Sequence, residues 1–70
     1  MAKTKKTKVA RFANGTVVFL RKYYEGYPKN HELQVVDNEK KNVKHKKHSI
    51  LVQDPITEIE FRVETKYLDQ

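Results

Sequence analysis

Residues 57–64, TEIEFRVE, alternate apolar and polar side chains with a period of two. A strand sends successive side chains to opposite faces, so Ile59, Phe61 and Val63 share one face and Glu58, Glu60, Arg62 and Glu64 the other. The rest of the chain must supply strands that cover the apolar face, because no stretch shows an amphipathic helical period.

Residues 9–13 read as a short first strand and residues 16–24 as a longer second. Between them lies Asn14-Gly15, a dipeptide that takes positive φ at both central positions of a hairpin turn. Val17, Val18, Phe19 and Leu20 are consecutively apolar, which predicts a strand covered on both faces. Gly26, Pro28 and Asn30 mark a loop. LQVVD, residues 33–37, is a third strand with Leu33 and Val35 on one face. NEKKNVKHKK, residues 38–47, has Val43 as its one apolar residue and reads as a basic loop or a long exposed hairpin tip. HSILVQ, residues 48–53, is a fourth strand, and Asp54-Pro55 begins a tight turn because Pro fixes φ. After TEIEFRVE, a helical turn near residues 65–67 leads to a last short strand. Phe12, Phe19 and Phe61 are assigned to the core. The predicted fold is all-β: a small antiparallel five-stranded barrel, whose closure leaves no exposed edge.

Seventy residues make one small domain with a modest buried core. With no Cys, neither a disulfide nor a thiolate zinc site is available as a staple. Residues 1–8, MAKTKKTK, hold four Lys and almost nothing to bury, so they are expected to form a disordered basic arm ahead of a barrel over residues 9–70. No apolar run approaches a membrane span or a signal-peptide core, and a cytoplasmic location is the expectation. The net charge of +6 favours anionic partners.

The order of parts resembles an SH3-like barrel over residues 15–69. A strand leads into a long loop with aromatic and Gly residues; a second strand, a variable loop, a tight hairpin and a short turn into a closing strand follow. The ending FRVETKYLD is similar to the SH3 ending in which an apolar strand runs into a helical turn carrying an Asn-Tyr pair. Tyr67 falls on the family Tyr and Leu68 on the apolar residue after it. The chain departs from peptide-binding members: it has no Trp for the groove, Glu64 stands where they place a Pro, Lys66 occupies the Asn position, and the acidic loop that reads basic peptides is thin. The resemblance therefore implies the fold and not the Pro-rich ligand. Barrels of this shape in ribosomal and transcription-elongation proteins are more similar in charge, and fold alone does not fix function.

Two basic blocks are the first candidate sites. Lys3, Lys5, Lys6, Lys8 and Arg11 form one. Lys40, Lys41, Lys44, Lys46 and Lys47 form the other, in a stretch with two His and no acid. Lys ammonium groups suit phosphates as point charges, and His45 and His48 add charge when protonated. The H-x-x-H spacing of these His argues weakly for zinc, since no Cys is near and the lysines repel a cation. A solvated hairpin tip is the plain alternative. Tyr23, Tyr24 and Tyr27 lie beside Arg21 and Lys22; Tyr24 or Tyr27 is a candidate to stack on unpaired bases, against the alternative that two of the three cover one end of the barrel. Asp54, Glu58, Glu60, Glu64 and Asp69 outnumber Arg62 and Lys66 in the last third, and nothing there marks a pocket that would tune a carboxylate for catalysis. The expectation is a non-enzymatic monomer without cofactor or metal, binding DNA or RNA through phosphates. The rival is a protein-interaction module using Tyr23, Tyr24 and Tyr27, an adaptor or an inhibitor such as a small viral protein acting on a host enzyme.

Overall fold

A computed structural model of the chain describes residues 12–70. Five antiparallel strands form one sheet: β1 Val17–Leu20, β2 Glu32–Val43, β3 Lys46–Gln53, β4 Glu60–Glu64 and β5 Leu68–Asp69, with a 3-10 turn at Thr65–Tyr67 between the last two. Their spatial order is β4-β3-β2-β1-β5. β4 and β5 are the two edges and do not pair, so the barrel predicted from the sequence is not closed. The sheet is nevertheless strongly curled. Five flat strands would set the edges about 19 Å apart at the usual strand spacing. The 3-10 turn that joins them spans only about 8 Å from its last β4 residue to the first of β5. A bulge between Val35 and Asp37 in the β2–β3 ladder contributes to the coiling, since an extra residue on one strand bends it and adds twist.

Alternation places the core. Val18 and Leu20 of β1 share one core with Leu33 and Val35 of β2, Ile50 and Val52 of β3, Val63 of β4 and Leu68 of β5, and Phe12 and Tyr24 join the same cluster. The pairs Val18 with Leu33, Val35 with Val52, Ile50 with Val63 and Leu20 with Leu68 are direct cross-strand neighbours.

Several expectations change. The Asn14-Gly15 turn exists, with the Thr16 N–H donating to the Ala13 carbonyl at 3.1 Å. Gly15 takes φ +88° and Asn14 stays out of the left-handed region, which is the pattern of a type II turn and not of the two-residue hairpin. The segment after it pairs with β2 instead: Gly15 N–H donates to Val35 O at 2.8 Å and Val35 N–H to Thr16 O at 2.9 Å. Ala13 lies in no strand, and residues 9–11 of the predicted first strand are outside the described residues, as are Lys3, Lys5, Lys6, Lys8 and Arg11. β1 is four residues long, not nine, because the chain leaves the sheet after Leu20. Its outer face is open: Val17 is 42% and Phe19 36% exposed. Phe19 is therefore not a core residue. Phe61 is half-buried against the core, and Ile59 lies outside β4, 54% exposed. The third strand extends well past Asp37, so the lysine-rich segment is the second of its two expected forms, the long hairpin tip.

Candidate functional site

Beyond Asp37 the β2–β3 ladder shifts register, and past the Lys41–Ser49 pair, where β4 ends, it is a two-stranded ribbon closed by the two-residue loop Lys44-His45 after the pair Val43–Lys46. Lys44 (φ 50°) and His48 (φ 55°) are left-handed. Side chains satisfy the backbone where the ladder is irregular. Asn42 Oδ1 accepts the His48 N–H at 2.7 Å, and Ser49 Oγ donates to the Lys41 carbonyl at 2.8 Å. Arg62 reaches across β3 from β4, donating through Nη1 to Ser49 O at 2.8 Å and to Glu39 O at 3.4 Å. Lys40, Lys41, Lys44, His45, Lys47 and His48 are exposed, while Val43 and Lys46 are half-buried on the side that meets the 24–27 turn. Lys41 lies 4.0 Å from Glu39 Oε1, and Lys46 is ion-paired with Glu25. Lys40, Lys44 and Lys47 have no such partner among the described residues.

The 24–27 turn is a small hairpin of its own. Tyr24 and Tyr27 exchange backbone hydrogen bonds of 2.9 Å each way. Glu25 (φ 48°) and Gly26 (φ 92°) are both left-handed, as a type I′ turn requires. The geometry separates the three tyrosines. Tyr24 is 8% exposed. Its ring lies 5.6 Å from that of Tyr67 at 45°, with Lys46 Nζ 5.6 Å from its centroid. Burial first, and then the Glu25 and Glu64 carboxylates and the neighbouring Tyr67, push its phenol up to about 12 against the backbone of Glu64. Tyr27 is stacked on Phe61 (4.9 Å, 2°) and leans on His31 at 4.8 Å. Tyr24 and Tyr27 thus cover one end of the core. Tyr23 stands out at 68% exposure.

Tyr67, on the 3-10 turn, has Lys22 Nζ at 4.2 Å and Lys66 Nζ at 5.1 Å from its ring centroid, both within cation–π range. The turn is fixed beside Lys22 because the Arg21 N–H donates to the Tyr67 carbonyl at 2.7 Å. Lys66 is also 3.7 Å from Glu64 Oε2. Lys66 and Tyr67 were not among the sequence-derived site residues. They sit more than forty positions from Lys22 in the chain, so no local pattern joins them.

Pro28, Lys29, Asn30, His31, Glu32, Pro55 and Ile56 line an open groove of about 480 Å³. Beneath it Asp54 is 2% exposed. Asp54 Oδ1 accepts the Ile56 N–H at 3.0 Å, Oδ2 accepts the Thr57 hydroxyl at 3.1 Å, and His31 Nε2 is 3.5 Å from Oδ1. The Ile56 amide holds the Asp54 carboxyl below the usual carboxylate value; burial opposes this, and Thr57 and His31 reinforce it. These bonds set the turn that connects β3 to β4. Among the described residues, no group of three His, Cys, Asp or Glu is placed to hold a metal ion, and no helix is long and apolar enough to cross a membrane.

Charge is unevenly distributed. Five of the fifteen Lys and Arg lie in residues 1–11, leaving ten against nine acids in residues 12–70. Five of those ten lie in residues 40–48, which hold no acid, so the remainder of the described body carries five cations against nine acids. In comparisons with known proteins, no family model, no curated protein and no solved structure matches the chain.

Proposed function

We propose that the chain is a non-enzymatic nucleic-acid-binding module that grips phosphates with the β2–β3 hairpin and with the basic residues that precede Phe12. One observation carries the reading: a projecting ribbon with five Lys, two His and no acid over residues 40–48, on a body whose remainder is acidic. The net acidic charge of the remaining body disfavours a polyanion there relative to the ribbon, so the field itself favours approach at the ribbon. Lys40, Lys44 and Lys47 are the principal hairpin contacts, Lys41 joins them, and Lys46 is neutralised by Glu25 and anchors the ribbon. Lys3, Lys5, Lys6, Lys8 and Arg11 supply the second set. β1, the loop with Tyr24, Gly26 and Tyr27, the long hairpin, β4 and the 3-10 turn with Tyr67 follow one another in the order of SH3-like parts. That order supports an SH3-like fold opened along one seam.

The test is the salt dependence of binding to duplex DNA. About five neutralised phosphates give a slope near −4.5 in log K against log salt. A flat response, with the fold intact, overturns the reading. It would favour the second one, a protein-interaction module, for which the exposed Tyr23 and the 84% exposed Ile56 are the supporting observation.

A further inference from the structure

We infer that the ligand is a single-stranded nucleic acid, and that Lys22, Tyr23 and Lys66 form the part of the site that recognises an unpaired base; this rests on the nucleic-acid reading above. The hairpin alone offers phosphates a set of ammonium groups and distinguishes single strands from duplex poorly, because both present a charged backbone. A second feature adjoins it. Lys46 at the hairpin tip is ion-paired to Glu25 and lies over Tyr24; the Tyr24 ring contacts Tyr67; and Tyr67 is flanked by Lys22 and Lys66. These contacts join the hairpin tip to the β1 exit through the buried Tyr24 ring and the half-buried Tyr67 ring.

The aromatic rings of this region have different jobs. Tyr24 is buried, and Tyr67 is half-buried with two ammonium groups over its ring, so neither has a face free for a base. Tyr27 is committed to Phe61 and His31. Tyr23 is 68% exposed, makes no ring contact with a described residue, and follows directly on Lys22. A free ring beside cations that track a backbone is the arrangement that stacks a base while holding its phosphate. Lys22 has no ion-pair partner among the described residues, and its ammonium is held by the Tyr67 ring, so it reaches the ligand with little rotamer freedom left to lose. Lys66 shares its charge with Glu64 and contributes less. A duplex keeps its bases stacked on each other and leaves Tyr23 idle.

The experiment is fluorescence anisotropy of the full chain at low salt with three labelled probes of about twelve units: oligo-dT, oligo-rU and a mixed-sequence duplex. The wild type is expected to bind a single strand more tightly than the duplex, and the tighter of the two single strands names the source. Tyr23→Ala is expected to weaken single-strand binding about tenfold, in line with the loss of one base stack, and to leave duplex affinity unchanged. Lys44→Gln with Lys47→Gln is expected to weaken all three probes together. Tyr23 is exposed, so its variant should keep the parent's backbone amide spectrum, which is recorded alongside. Equal binding of all three probes, or a Tyr23→Ala variant as good as the parent on single strands, overturns this inference while salt-sensitive binding still upholds the broader reading. Absence of binding to every probe overturns both.

Discussion

Phe19 and Leu20 are neighbours in β1 with opposite fates. Leu20 is fully buried against Leu68, whereas Phe19 lies on the outer face between Glu32 and Asp69 on the flanking strands. Leu20→Ala should cost about 2–5 kcal/mol, because it loses buried methyl groups and leaves a cavity. Phe19→Ala should cost about 1 kcal/mol or less, as surface changes usually do. Urea unfolding of the two variants checks this, and equal losses would refute the register. The sequence could not separate them, since a run of four apolar residues hides its own period, and the face toward the core is chosen by the partner strands. Asp54 gives the second residue-scale prediction. Its carboxyl pKa is lowered in the folded state, first by the Ile56 amide. Its contribution is therefore present above the unfolded value of about 3.9 and is lost as pH falls through the lower folded value. Asp54→Ala should melt at a lower temperature near neutral pH, and the gap to the parent should narrow on acidification below about pH 4. Thermal melts across that range decide it; a gap that is constant with pH would place the loss elsewhere than in the charged form.

The elements with a mixed apolar and polar pattern were readable from sequence, and the element without one was not. β4, the 3-10 turn and β5 are legible in TEIEFRVETKYLD, although the alternation begins before the strand and residues 57–59 lie outside β4. The outer half of β2 carries Lys and Asn on both faces, so side-chain pattern is silent there and backbone pairing with β3 alone makes it a strand. Asn42 should matter most at this scale, because its side chain satisfies the left-handed His48 amide where the register slips. Asn42→Ala should speed amide hydrogen exchange through residues 42–48 while leaving the core strands protected. A tip opens locally at far lower cost than the whole domain. If exchange in β1 and β4 rises equally, the tip and the core unfold as one unit.

At the scale of the whole molecule the question is which basic block does the binding. The candidate site was legible only as two charged segments. Their relation to Tyr23, Lys22 and Tyr67 depends on the sheet's curl, which brings the end of β4 beside the end of β1 and so joins positions distant in the chain. Residues 2–8 hold four of the cations, and deleting them takes the net charge from +6 to +2. Phe12, where the core begins, is untouched by that deletion. Each phosphate contact contributes about −0.9 to the duplex salt slope. If about three of the roughly five contacts come from the deleted segment, the slope should flatten by about 2.7, leaving about 1.8 as the hairpin's share. If the hairpin alone carries the contact, the truncated chain should keep the parent's slope and lose affinity only modestly through the weaker long-range field. The Lys44→Gln, Lys47→Gln pair complements the deletion. Two lost contacts should flatten the slope by about 1.8 in either background, because distant electrostatic contacts to one polyanion add. A slope that moves with the deletion and not with the hairpin pair would move the site to the first residues of the chain and leave the ribbon as a solvated tip.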